Sequence, residues 1–257
     1  MPWREKRSPY RVFVSEIMLQ QTSVSMVTPR YTAFLKAFPS FKALAGARVQ
    51  DVISAWKGLG YNRRALALLQ SARIVTSVHR GRLPRTVEEL VRLPGVGHAT
   101  AAAVIVYAFN VPVAFIETNV RRVFLHFFFP GEKKVPDSRI LPLVEKTVDR
   151  ANPREWFYAL MDYGTFLAGT GEGSRERAGR RAADPLRRSS RYRRQAAFEG
   201  SHRQLRGRIL GLMLEKKRAR LAEMKAALGN DPRLPKALGE LVAEGFLGMR
   251  GGLYSFR

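Results

Sequence analysis

Three groups of residues could do chemistry. The first is Leu93-Pro94-Gly95-Val96-Gly97-His98-Ala99-Thr100. A tight Gly-x-Gly turn there joins two helical patterns, and its glycines permit backbone angles that other residues resist. The turn also exposes N–H groups at the start of the second helix, where the dipole favours an anion. It is either a sequence-independent phosphate clamp, made by Gly95, Val96, Gly97 and Thr100, or an ordinary helical hairpin. The second group centres on Glu16, set between Val12-Phe13-Val14 and Ile17-Met18-Leu19. A carboxylate there is a solvated helix position or a proton donor with a raised pKa. Composition alone favours the solvated position. The third is Glu117, an acid just ahead of a helical pattern over Asn119–Phe128, where a helix dipole would also hold it. The four histidines (His79, His98, His126 and His202) are scattered and make no metal site. Cysteine is absent, which excludes disulfides, thiolate zinc sites and cysteine-ligated iron–sulfur clusters.

Residues 8 to 165 read as helix after helix. Tyr10–Val27 places Val14, Ile17, Met18 and Val24 on one helical face. Val49–Trp56 is a short amphipathic helix ended by Gly58-Leu59-Gly60, and Arg63–His79 is a longer one. Thr86-Val87-Glu88-Glu89 is a capping box that starts a helix. His98–Phe109, Asn119–Phe128, Leu141–Asn152 and Trp156–Leu167 complete the series. Composition changes near Gly169. Residues 174 to 208 hold twelve arginines against Glu176, Asp184 and Glu199, and residues 169–204 read as an extended basic linker. A small module follows over residues 205–257. Its helices are Leu205–Lys216, Ala222–Leu228 and Pro235–Gly245, and its hairpin turns at Gly251-Gly252. Helix, helix, helix, hairpin is the order of a winged helix-turn-helix.

The whole chain has 257 residues, 45 lysines and arginines against 21 acids, and a formal charge of +24. Such a balance excludes an acidic disordered chain and points to a polyanionic partner. Apolar residues at 46% fit a globular protein. No apolar run is long enough to span a membrane, and Met1-Pro2-Trp3-Arg4 leads into polar sequence rather than a signal peptide.

Leu93–Thr100 resembles the helix-hairpin-helix of the endonuclease III and MutY-type DNA glycosylase superfamily. Four more segments match in order: Pro2-Trp3-Arg4, Ser15-Glu16-Ile17-Met18-Leu19-Gln20-Gln21-Thr22, Gly58-Leu59-Gly60-Tyr61 and Ile116-Glu117-Thr118-Asn119-Val120-Arg121-Arg122-Val123. The resemblance covers residues 2 to 168, and it implies an all-α helix-hairpin-helix glycosylase fold over residues 1–168. It makes Glu16 the general acid that protonates a flipped purine. Glu117 stands where the family usually has aspartate, to support an oxocarbenium-like sugar, and Asn119 supports that acid by hydrogen bonding. Trp3, Arg4 and Asp162 would line the base pocket. Gln21, Thr22, Leu59 and Tyr61 would fill the vacated stack and contact the opposite base. Taken singly, each of these is an ordinary packing residue. Ala99 stands where lyases of the superfamily carry a Schiff-base lysine, which implies a monofunctional enzyme. Most relatives hold a [4Fe–4S] cluster on four cysteines after the segment matching Asp162-Tyr163-Gly164. Without cysteine, no cofactor is expected, and the basic linker would contact phosphates instead. The family's 8-oxoguanine-recognition domain is not recognisable; the winged-helix-like module stands in its place.

The resulting expectation is a monomeric, cytoplasmic, nucleoid-associated enzyme acting on double-stranded DNA. Its substrate would be adenine opposite 8-oxoguanine or guanine. The rivals are a glycosylase for uracil or thymine opposite guanine, and a non-enzymatic DNA-binding protein.

Overall fold

The computed structural model describes residues 1–169, 184–193 and 197–257. Two compact units emerge: Met1–Pro84, Arg92–Val96 and Ala196–Arg257 form the first, and Arg85–Val91 and Gly97–Gln195 form the second. No described helix is long and apolar enough to cross a membrane.

In the first unit, α1 (Pro2–Glu5), α2 (Pro9–Leu19), α3 (Val24–Ala37), α4 (Phe41–Ala45), α5 (Val49–Ala55) and α6 (Arg63–Ser77) pack around Phe13, Ile17, Phe34, Trp56 and Leu68. The expected single helix over Tyr10–Val27 is two. Gln21 adopts φ +55, a left-handed angle that ends α2, and Ser23 begins α3. The break also splits the expected face: Val14, Ile17 and Met18 are buried on α2, whereas Val24, at the start of α3, is 40% exposed. The last part of this unit is α12 (His202–Lys216), β1 (Arg218–Arg220), α13 (Leu221–Leu228), α14 (Leu234–Ala243), β2 (Leu247–Arg250) and β3 (Leu253–Phe256). The three strands form one antiparallel sheet in the order β1-β3-β2. Gly251 and Gly252, at φ +55 and +74, make the two-residue turn that such hairpins favour. Strand β1 has only the residues Arg-Ala-Arg, too short to leave a pattern in sequence.

The second unit holds α7 (Val87–Leu90), α8 (His98–Phe109), α9 (Thr118–Phe128), α10 (Asp137–Thr147) and α11 (Pro153–Leu167). Helix α8 has the limits expected: Gly97 caps its start, and Asn110 ends it at φ +58. Helix α10 does not run over Leu141–Asn152 as expected. It starts after Pro136 and stops at Thr147, and Asp149 then binds the N–H groups of Ala151 and Asn152 at 2.8 and 3.0 Å. A side chain that satisfies backbone donors competes with the helix.

The basic segment also differs from the extended linker expected. Its residues 170–183 and 194–196 lie outside the described residues, but 184–193 are folded. Pro185–Arg188 form a 3₁₀ turn, Val135 and Ser189 pair in parallel, and Arg188 donates to the carbonyls of Leu125 and Phe129 at 3.0 and 2.9 Å. Counter-charges decide this: Asp184 and Asp137 lie opposite Arg122 and Arg191, pairings that composition does not reveal.

Candidate active site

In the first unit, two separate stretches meet at one buried arginine, Arg64, in the first turn of α6. Its Nη1 donates to the carbonyls of Ile17 and Met18, at 3.1 and 2.8 Å, and to that of Gln20. Its Nη2 donates to the Thr22 hydroxyl at 2.8 Å and to the carbonyls of Leu59 and Gly60 at 3.2 Å. The last turn of α2 has no helical partners for its carbonyls and carries the negative end of the dipole, so a guanidinium fits there. Burial pushes the pKa of Arg64 down to about 10. Gln20 extends the cluster by donating to the Gly95 carbonyl at 3.1 Å, and Ser71 donates to that of Pro94 at 3.0 Å. Arg64 was missed in sequence. The available signal was its place at i, i+4, i+7 with Leu68 and Ser71, both buried.

This cluster brings Gln21, Thr22, Leu59, Tyr61, Gly95 and Val96 together. Gln21 is exposed and Tyr61 half-exposed, and both non-glycine residues hold left-handed angles, φ +55 and +47. Such conformations cost energy and persist only where surrounding structure fixes them. Here the fixing comes from Arg64 and from Trp56, whose indole N–H donates to the Gly60 carbonyl at 3.0 Å. Leu59 is buried, so its carbonyl rather than its side chain serves the loop. Gly95 stands at φ +75, and a Cβ there would lie 2.8 Å from that of Ala67. A glycine is therefore required at this turn. Glu16 lies on α2 one residue before Ile17 and is half-buried. Trp3 is buried with its ring edge-on to Tyr31, centroids 5.5 Å apart, and Arg4 beside it is half-buried.

In the second unit, Gly97, His98 and Ala99 are exposed, Thr100 is half-buried, and no side chain caps the start of α8. Gly97, the N-cap, has no side chain to bind the first N–H groups of that helix, where the dipole favours an anion. Glu117 is the N-cap of α9. Its Oε1 accepts the N–H groups of Asn119 and Val120 at 2.5 and 2.8 Å. Burial pushes its carboxyl up, while those two donors, and Arg121 and Arg122, pull it back. The side chain of Asn119 is oriented by Arg122, which donates to its Oδ1 at a distance of 2.5 Å, to the Gly164 carbonyl at 3.0 Å, and from Nε to Asp184 at 2.9 Å. A Cβ on Gly164 would stand 2.5 Å from that of Asn119, so only glycine lets α9 and α11 approach here. Asp162 lies exposed on α11. Arg122 and Gly164 were also missed, although Arg122 follows Val120 on an otherwise apolar stripe.

The chain contains no cysteine, and no group of acids and histidines among the described residues could hold a metal. A thiolate-bound iron–sulfur cluster does not fit these residues.

The family described as HhH-GPD superfamily base excision DNA repair protein matches residues 14–145. The adenine DNA glycosylase of Buchnera aphidicola subsp. Baizongia pistaciae is 32% identical over 171 residues, 65% of this chain and 48% of that protein. That of Mycolicibacterium smegmatis is 32% identical over 262 residues, 96% of this chain and 87% of its own. The chain spans about half the length of the Buchnera proteins it matches. Among solved structures, a thermostable thymine-DNA glycosylase is 27% identical with a TM-score of 0.58, covering 70% of this chain and 84% of its own.

Proposed function

Because the chain belongs to the HhH-GPD superfamily of base excision DNA repair proteins, we propose that it is a monofunctional DNA glycosylase. It extrudes a mispaired adenine, opposite 8-oxoguanine or guanine, from double-stranded DNA and hydrolyses its N-glycosidic bond. The observation that carries this reading is the pair of strained residues Gln21 and Tyr61, locked around Arg64 in the unit that holds Glu16. Unstacking a base costs a few kcal/mol. A wedge held rigid before DNA arrives offsets that cost without further ordering.

Glu16 donates the proton that makes the extruded purine a better leaving group. The C1′–N bond breaks, the purine departs with that proton, and the sugar takes on oxocarbenium character. Glu117 stabilises it by charge, following the two-carboxylate logic of glycoside hydrolysis. Both of its backbone bonds fall on Oε1, which leaves Oε2 for the sugar or the incoming water. Asn119 orients this end of the site. Water adds to C1′, gives a proton back to the ionised Glu16, and leaves an abasic site. Ala99 has no amine, so no Schiff base forms and the strand stays intact. Trp3, Arg4 and Asp162 line the base pocket. Gly95, Val96, Gly97 and Thr100 hold a backbone phosphate at the start of α8. The enzyme acts as a monomer in the cytoplasm, on nucleoid DNA.

A second reading, uracil or thymine opposite guanine, draws support from the likeness to the thymine-DNA glycosylase structure. Single-turnover excision on adenine opposite 8-oxoguanine, adenine opposite guanine, uracil opposite guanine and thymine opposite guanine separates the two. Strand breaks only after alkali, on the adenine duplexes, are expected. Signal on the pyrimidine duplexes alone moves the substrate. Tight binding with no excision leaves a DNA-binding protein.

A further inference from the structure

The C-terminal module reaches the proposed wedge directly. Arg203, in the first turn of α12, places its Cζ 5.3 Å from the ring centroid of Tyr61, and its Nη1 hydrogen-bonds the Tyr61 hydroxyl across 142 positions of sequence. The start of α12 is itself fixed. Ser201 caps it, Gly200 N–H binds the Gln204 side chain at 2.8 Å, and Arg233 donates to the Gly200 carbonyl at 2.8 Å. The Cζ of Arg64 lies 5.4 Å from the same ring centroid. One guanidinium therefore belongs to the loop's own anchor and the other to a module at the far end of the chain.

The module also meets α6 at a point apart from Arg203. Arg63 pairs with Glu244 at 2.5 Å, while Arg206 pairs with Glu244 at 2.6 Å and Glu240 at 2.9 Å. The Arg206 pairs tie α12 to the end of α14, and the Arg63 pair ties that end to the start of α6; none of them touches Tyr61. The strained backbone of Tyr61 fixes where its Cα lies, but the ring can still turn about its own side-chain torsions. A cation over the face and a donor on the hydroxyl restrict both rotations.

We propose that Arg203 is a positioning residue for the wedge: the C-terminal module sets the ring of Tyr61 for insertion into the duplex. The module thus takes part in base extrusion rather than serving only as a tether or an extra phosphate contact. This rests on the reading of Tyr61 as a wedge.

The test uses the full chain and a duplex with 2-aminopurine opposite guanine, whose fluorescence rises when the base unstacks, with or without excision. Arg203→Ala is expected to slow unstacking about thirtyfold, the lower end of the scale of one cation–π contact plus one charge-assisted hydrogen bond. Lys216→Ala removes the same charge from the exposed end of α12 and is expected to change nothing. Arg203→Lys restores part of the rate. Tyr61→Phe, which keeps the ring and loses the hydroxyl, slows unstacking less. Combined with Arg203→Ala it adds nothing further. Equal rates for Arg203→Ala and Lys216→Ala, or fully multiplicative effects of Arg203→Ala and Tyr61→Phe, overturn the proposal. No unstacking by the unmodified protein on any duplex sinks the wedge reading, and this proposal with it. Thermal melting of each variant separates misfolding from a lost contact, and Tyr61→Phe decides the matter if Arg203→Ala does not fold.

Discussion

Among the described residues, each unit has one buried arginine bound to the segment that carries a candidate acid, and the two are satisfied differently. Arg64 meets five carbonyls and a hydroxyl, and its recorded bonds include no carboxylate. Arg122 meets the Asn119 side chain and one carbonyl, and pairs with the half-buried Asp184. A buried guanidinium without a counter-charge is tolerated only where many oriented acceptors surround it. The acceptors of Arg64 lie in the last turn of α2, in the break that follows it and in the bend before α6, so the arginine holds both bends. Arg122 instead ties the Asn119 side chain and the Gly164 carbonyl to Asp184, and so holds the 184–193 segment through charge. The lesson is that the first unit's site depends on hydrogen-bond geometry, and the second unit's on charge.

The largest expected effect tests which acid does the proton transfer. Glu16→Gln should lower excision about a thousandfold, the usual scale of a lost general acid, with unchanged affinity for the duplex. Retained turnover would leave Glu16 a solvated helix residue. The next compares the hubs. Arg64→Met should cost about 3 kcal/mol in urea unfolding, because several buried carbonyls lose their donor together. Arg122→Met should cost about 1–2 kcal/mol, since Asp184, at 31% exposure, can rehydrate. Equal losses would erase the distinction.

Two smaller effects concern the acids of the second unit, which should respond to pH with opposite slopes. Burial raises the Glu117 carboxyl, so the folded state holds its proton more tightly than the unfolded one. Its contribution therefore falls as pH rises from the ordinary carboxyl range through the raised folded value. Glu117→Gln should flatten that slope in urea titrations without lowering the melting temperature, and cut excision about a hundredfold. Asp137 is held low by its hydrogen bonds to Arg121, with Arg191 adding to the effect. Its contribution is present above the ordinary aspartate value and fades as pH falls through the folded one. Asp137→Asn should cost about 1 kcal/mol at neutral pH, and little in acid. A loss of the same size at both pH values would show that the pair contributes through packing alone.

Much of this was legible in the chain because it is local. The limits of α8 follow from Gly97 and Asn110, and the hairpin of β2 and β3 from Gly251-Gly252. The position of Glu117 before a helical stripe announced a cap. What failed involved partners far apart in sequence. The break after α2 depends on Arg64, more than forty residues away. The order in 184–193 depends on Asp184 finding Arg122, 62 positions back.

The sequence by itself determined the helical class, the Gly-x-Gly hairpin, the basic charge and the types of the two candidate acids. These rest on periodicity, glycine conformation and composition, which are properties of neighbours in the chain. Only the tertiary structure decided that Arg64 rather than the adjacent Arg63 is buried, that Gln21 and Tyr61 are held in left-handed strain, and that Arg203 reaches Tyr61. A buried polar group must find its acceptors wherever the chain brings them, and those acceptors come from segments that no local pattern connects.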